Sequence, residues 1–151
     1  MANITFEVRP PQTPEEWESY FNLRFDVLRA AWGQPKGSET DADDNSSTHA
    51  AIIVPEVGCI AASRLHALTD RPGVAQVRYM AVHPAYQGKG LGAKVLSYLE
   101  VQAKAQGFSL ITLNARETAV PFYLKCGYSI IGEGPLVWGV IPHKICTKPI
   151  L

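Results

Sequence analysis

No sign of charge prevails in this 151-residue chain: 14 Lys and Arg face 14 Asp and Glu, for a formal net charge of zero. A general nucleic-acid binder needs a basic face to neutralise phosphates, and this balance withholds one, so no nucleic-acid partner is expected. Only three cysteines are present, Cys59, Cys126 and Cys146, odd in number and widely separated. They fit reduced thiols better than a disulfide framework, and no C-x-x-C redox motif occurs. No apolar run approaches the roughly 20 residues that span a bilayer. The opening Met-Ala-Asn-Ile-Thr-Phe-Glu has neither the basic leader nor the apolar stretch of a signal peptide. A cytoplasmic protein with no membrane partner is therefore expected. The four histidines show no paired metal spacing, and His143 with Cys146 supplies two ligands where a structural zinc needs four, so no metal is expected. A fixed-period repeat and a Ser/Gly or Pro linker are also missing, and residues 1–151 read as one domain. A chain of this length buries about 68–70% of the surface exposed by its unfolded form, enough for a core without staples.

What is present is an alternation of strand and helix signals. Ile4 to Val8 alternates apolar and polar residues and predicts an opening strand. Thr13, Pro14 and Glu16 then supply an N-cap, a favoured first position and a capping-box acid for a helix running to about Ala31, with Trp17, Phe21, Leu23, Phe25 and Leu28 on its apolar face. From Gly33 to Thr48 the chain is polar. Its acidic cluster Asp41, Asp43 and Asp44 reads first as a solvated loop and second as a metal or substrate site. Ala50–Val54 and Cys59–Leu68 predict a hairpin across the turn at 55–58, and Gln76–Val82 a third strand. Leu91, Val95, Leu99 and Ala103 recur every four residues, the clearest helix in the chain, over Gly88 to Gln106. An apolar run from Leu110 to Leu113 follows, so strand, helix and strand form a crossover with its two strands parallel. A short helix over Ala119–Lys125 and late strands over Tyr128–Ile131 and Ile141–Lys148 complete an α/β domain.

The chemistry concentrates where Gln87-Gly88-Lys89-Gly90-Leu91-Gly92 packs three glycines into five positions between a strand and the long helix. Glycine costs about 1 kcal/mol relative to alanine inside a helix, so three here need a reason. The amides at a helix start are unpaired and carry partial positive charge, and bare glycines let an anion reach them. A phosphate or pyrophosphate is the natural guest; a glycine-rich turn without a ligand is the plain alternative. A Walker loop would need a Lys-Ser or Lys-Thr pair where Ala93 stands. Gly88, Gly90 and Ala93 do satisfy the dinucleotide pattern G-x-G-x-x-G/A. Yet the next strand ends at Asn114 rather than at an acid, and about 40 residues remain, too few for the second half of such a fold.

Gln87, Gly90 and Gly92 also occupy the defining places of Q/R-x-x-G-x-G/A, the cofactor loop of the GNAT superfamily of N-acetyltransferases, which this sequence resembles. The resemblance extends upstream through Val77-Arg78-Tyr79-Met80-Ala81-Val82, His83-Pro84 and Tyr86. Downstream it takes in Asn114 and Pro121-Phe122-Tyr123-Leu124-Lys125-Cys126-Gly127-Tyr128, similar to the family's second signature. Two motifs in the right order over about residues 76–131 make a specific signal. The first helix, Leu23 to Arg29 followed by Trp32-Gly33, resembles a small bacterial branch of that family.

The resemblance implies a single-domain mixed, splayed β-sheet flanked by helices, the GNAT-like acyl-CoA N-acyltransferase fold. It implies acetyl-CoA as donor, its pyrophosphate on the backbone amides of Gln87, Gly88, Lys89, Gly90, Leu91 and Gly92, with charge from Lys89. Backbone groups of Met80 and Val82 would pair with the pantetheine arm as an added strand. Asn114 stands at the matching end of the neighbouring strand, as a ligand contact or a strand-end turn. The acceptor would be a small-molecule amine or a protein amine, and a homodimer stays open. At a lysine-like pKa near 10.4 only about one amine in 2500 is neutral at pH 7, a handicap of about 4.6 kcal/mol. Tyr123, a phenol still protonated at pH 7, is the candidate acid for the departing thiolate, against a plain packing role. The base is harder to find, because several GNAT enzymes use a glutamate on the strand before the loop and Gln76–Val82 has no carboxylate. His143 and Glu117 are the candidates, acting through water. Arg29 and Trp32 would line an acceptor pocket, although a surface arginine and a core tryptophan also explain them. A non-catalytic acetyl-CoA-binding sensor is the contrasting expectation.

Overall fold

The computed structural model describes residues 6–150. Thr13 opens helix α1 (Pro14–Leu28), its hydroxyl accepting from the Glu16 N–H at 3.1 Å, with Pro14 at the start where no N–H is missed. The Glu16 carboxylate does not close a capping box on Thr13. It accepts the Gln12 N–H at 2.8 Å instead and holds the Arg9 guanidinium at 2.8 and 2.9 Å. The helix stops earlier than its apolar pattern suggests: Arg29 leaves helical geometry, and a 3₁₀ turn over Ala30–Trp32 ends on left-handed Gly33. Of the opening strand expected over Ile4–Val8, residues 4 and 5 lie outside the described residues. Phe6 to Val8 carries no strand, and the pairing there is a single antiparallel bridge from Arg9 to Ala51.

Six strands form one mixed sheet in the order β1-β2-β3-β4-β6-β5. The expected hairpin is β1 (Thr48–Val54) against β2 (Gly58–Ala67), and β3 (Val74–Val82) adds antiparallel to β2. Helix α2 (Leu91–Ala105) then crosses over, and β4 (Leu110–Arg116) returns parallel to β3, as the strand–helix–strand pattern requires. The short helix α3 (Val120–Lys125) leads to β5 (Ser129–Glu133) and β6 (His143–Pro149), with β6 inserted antiparallel between β4 and β5. Helices cover both faces. On one, Leu91, Val95, Leu96 and Leu99 of α2 pack with Ile111 and Leu113; on the other, Tyr20, Leu23 and Leu28 of α1 pack with Ala51, Ala62 and Ala81. Burial of each such Leu or Val is worth about 1.5–3 kcal/mol. Coverage on both sides explains why β2 is buried along nearly its whole length rather than at alternate positions.

Two features of β3 shape the molecule. Its parallel pairing with β4 lasts only three residues, Val74, Ala75 and Gln76 opposite Leu110, Ile111 and Thr112. Beyond that point, Tyr79 and Met80 together oppose the single residue Ser63 of β2, a β-bulge in which Tyr79 takes φ +58°. A bulge bends its strand and raises the local twist. Thus β3 stays on β2 while leaving β4, and the sheet splays open at its centre.

Candidate active site

The splay opens into a cleft of about 970 Å³ whose walls are β3, β4, the start of α2, α3 and the segment after α1. One wall is bare main chain. His83 N–H donates to Ile60 C=O on β2, so by strand alternation the N–H and C=O of Val82 face the opposite edge, as do those of Met80. That edge would have belonged to β4 had the two strands stayed together. The Val82 carbonyl accepts the Gln87 side-chain amide at 3.3 Å, which ties the strand end to the loop that follows.

That loop treats its three glycines differently. Gly88 and Gly90 adopt φ +79° and +77°, and a Cβ at either would meet no atom within 4 Å. They turn the chain left-handed and leave open space over the backbone. Gly92 is helical, and a Cβ there would stand 3.2 Å from the Phe122 ring of α3. Its bareness serves helix packing, so the reading of all three glycines as access for an anion holds for two of them. The first intrahelical bond runs from Lys94 N–H to Gly90 C=O at 3.1 Å. The amides of Leu91, Gly92 and Ala93 before it are the free donors that any helix start presents.

Twelve of the fourteen candidate site residues line this one cleft: Arg29, Trp32, Met80, Val82, Gln87, Gly88, Gly90, Leu91, Gly92, Asn114, Tyr123 and His143. Lys89 is exposed and does not line it. Tyr123 is 7% exposed, packed edge-to-face on Tyr128 and Phe122, and its hydroxyl has no hydrogen-bond partner among the described residues. Burial raises its pKa above the ordinary phenol value, so it is fully protonated at neutral pH and gives up its proton less readily. His143 donates from Nδ1 to the Ile141 carbonyl at 2.9 Å, an acceptor only, which leaves Nε2 with the lone pair in the neutral ring. Asn114 sits on β4 past the point where β3 departs, opposite Ile145 of β6. Glu117 does not reach this cleft. It is exposed beside Lys144 at 3.7 Å.

At the far end, Trp32 is 41% exposed, which removes the core explanation for it, and its ring lies 6.3 Å from that of Trp138, equally exposed. Arg29 reaches over Trp138 (5.3 Å) and over Tyr79 (5.2 Å). Trp138 and Arg116 line the cleft without any signal in the local sequence. The acidic stretch is largely exposed, Asp43 included, but Asp41 and Asp44 turn inward onto buried arginines. Asp41 chelates the fully buried Arg64 at 2.5 and 2.8 Å and reaches Arg78 at 3.1 Å, while Asp44 binds the equally buried Arg24 at 2.9 Å. Arg24 stacks 3.8 Å over Tyr79, whose left-handed backbone is thereby locked against the cluster. The loop is thus clamped to α1, β2 and β3, and with it the position of Arg29 and Trp32 at its start. His49 completes the underside: its Nε2–H donates to the Asp44 carbonyl at 2.8 Å and its Nδ1 accepts from Tyr20 at 2.7 Å, while burial lowers its pKa and keeps it neutral.

The model of the Acetyltransferase (GNAT) family matches residues 11–128. The chain belongs to this family. A Bacillus subtilis (strain 168) protein named as an uncharacterized N-acetyltransferase is 29% identical over 134 residues, 89% of this chain and 93% of its own. A crystal structure from Lactobacillus plantarum, also named as an N-acetyltransferase, superposes with a TM-score of 0.82 at 25% identity, covering 98% of this chain and 100% of the other. An aminoglycoside 6'-N-acetyltransferase solved with coenzyme A shares the fold at a TM-score of 0.78 and 16% identity, with 98% of each chain covered. The protein is a GNAT-family N-acetyltransferase with the splayed sheet of that fold.

Proposed function

We propose that this GNAT protein transfers an acetyl group from acetyl-CoA to a primary amine by direct attack. The observation that carries the proposal is the three-residue pairing of β3 with β4 followed by the splay. It leaves the Met80–Val82 main chain as an open strand edge that runs straight into the free amides of the 87–92 loop. An extended pantetheine arm fits the edge, and a diphosphate fits the loop, because Gly88 and Gly90 turn the chain left-handed and leave the space over its backbone open. Asn114 faces the same arm from β4.

In the transfer, the amine nitrogen bonds to the acetyl carbon, the carbon–sulfur bond breaks and the thiolate takes up a proton. Tyr123 supplies that proton from the wall of the cleft; its burial guarantees the protonated form. His143, with Nε2 free, accepts the proton of the attacking amine through water. Arg29 and Trp32 hold the acceptor at the other end.

Acetyl-CoA added to the protein should raise its melting temperature with the logarithm of ligand concentration above the dissociation constant. Release of free thiol from acetyl-CoA in the presence of an amine panel should then identify acceptors. A melting curve unmoved by saturating acetyl-CoA would overturn the reading.

A further inference from the structure

We infer that the acceptor amine carries a carboxylate, received by Arg29 and Arg116 beside the faces of Trp32 and Trp138. The inference rests on the acyl-transfer reading above and extends it to the class of acceptor. The charge around the acceptor end decides it. Arg116 is half-buried at the end of β4, and its side chain makes no hydrogen bond or ion pair among the described residues. Arg29 is half-buried too and is held only by the carbonyls of Ser38 (3.1 Å) and Leu28 (3.2 Å) and by aromatic rings. Carboxylates that could neutralise them are engaged elsewhere: Asp41 with Arg64 and Arg78, Glu117 with Lys144. Among the described residues the cleft wall carries one carboxylate, the exposed Asp26, and the side pocket beside it one more, the exposed Glu117 next to Lys144.

Space and shape agree with charge. A side pocket of about 210 Å³, lined also by Glu117, joins the cleft through Trp32, Arg116, Thr118 and Ile141 and leaves room beside Arg116. An arginine fork matches a carboxylate bidentately, whereas a polycationic acceptor would bring ammonium groups against two uncompensated guanidiniums. The exposed tryptophan pair offers an apolar surface for the remainder of the molecule, and Trp138 holds its place there in a left-handed conformation, φ +51°, uncommon for a bulky residue. Free amino acids with apolar or aromatic side chains satisfy all three conditions; polyamines and aminoglycosides, which carry no carboxylate, fail the first. The same guanidiniums lower the pKa of a nearby ammonium, tenfold more neutral amine for each unit. That offsets part of the handicap left by a β3 without a carboxylate.

The test compares phenylalanine with phenylalaninol, whose amine has similar basicity but no carboxylate, and with spermidine and an aminoglycoside, all at fixed acetyl-CoA. We expect kcat/KM for phenylalanine to exceed that for phenylalaninol about 10²-fold, mostly through KM. Arg116→Gln should collapse this ratio to within about tenfold, and Arg116→Lys, which keeps the charge but not the fork, should restore part of it. Independently of turnover, quenching of tryptophan fluorescence should show N-acetylphenylalanine binding the coenzyme A-loaded protein at least tenfold tighter than N-acetylphenylalaninol. Equal binding of the two, no binding of either, or faster turnover of spermidine or the aminoglycoside overturns the inference. So does an Arg116→Gln variant that loses acetyl-CoA affinity with its acid-to-alcohol ratio intact, since Arg116 would then serve the donor. These failures are distinct from failure of the acyl-transfer reading, which is read from the acetyl-CoA melting shift alone.

Discussion

Replacing Asp41 by Asn removes one negative charge from the buried arginine cluster and turns the oxygen that accepts from Arg64 Nη2, Arg78 and Tyr79 into an NH2 donor. Asparagine keeps the size and the cap on Asp43 N–H, which Asp41 Oδ1 accepts at 2.9 Å. Burial works against the Asp41 charge, but the Arg64 guanidinium more than offsets it, and the carboxyl pKa falls from 3.8 to about 2. At 1.36 kcal/mol per pKa unit, that gap is worth about 2 kcal/mol. Breaking a fully buried ion pair costs about 3–5 kcal/mol, but Arg64 retains Asp44 at 2.8 Å and the Asp41 side chain is 26% exposed, so the lower figure governs. Asp41→Asn should therefore lower unfolding stability by about 2–3 kcal/mol near neutral pH, a fall in Tm of roughly 5–10 °C for a domain of this size. The loss also has a pH signature. Because the folded-state pKa is depressed, the wild-type advantage is complete above the unfolded value near 4 and disappears as pH falls toward 2. Urea unfolding of both proteins from pH 7 down to pH 2.5 measures it. A stability difference below about 0.5 kcal/mol at pH 7, or one that does not shrink with acid, would refute the electrostatic account of the clamp.

Tyr123→Phe should reduce kcat about 10²-fold with acetyl-CoA affinity nearly unchanged; an unaltered kcat in a thiol-release assay would return Tyr123 to a packing role. His143→Gln should lower kcat roughly 10- to 100-fold, and full retention of kcat would exclude it as the base. Gly90→Ala places a side chain on a left-handed residue at about 1–2 kcal/mol. Its Tm should drop and acetyl-CoA binding weaken, and calorimetry showing wild-type affinity would remove the 87–92 amides from the donor site.

Local pattern was enough for the elements that follow one periodicity. The four-residue recurrence of Leu91, Val95, Leu99 and Ala103 appears as the buried face of α2, and the two strand runs on either side of the turn at 55–58 become the β1–β2 hairpin. The three-glycine turn and the two separated motifs likewise located one cleft in advance, since the residues that shape a strand–loop–helix junction are contiguous. Legibility failed where partners are far apart in the chain. Asp41 and Asp44 look like solvated acids because Arg24 and Arg64, which hold them, lie on a helix and a strand about 20 residues to either side. Trp138 belongs to a segment with no motif between β5 and β6, and Arg116 stands beyond the apolar run that marked β4, as that strand's last residue; both line the cleft.

The sequence by itself determined the order of the hairpin, the crossover and the late strands, the glycine-rich turn at Gln87–Gly92 and the family, because hydrophobic period, helix-start chemistry and contiguous motifs are local properties. The tertiary structure alone decided that β3 would bulge at Tyr79 and abandon β4 after three residues, and that an acidic loop would lock onto two buried arginines. Both depend on pairing energies between distant segments, in which a charge or a strand edge takes its meaning from what faces it.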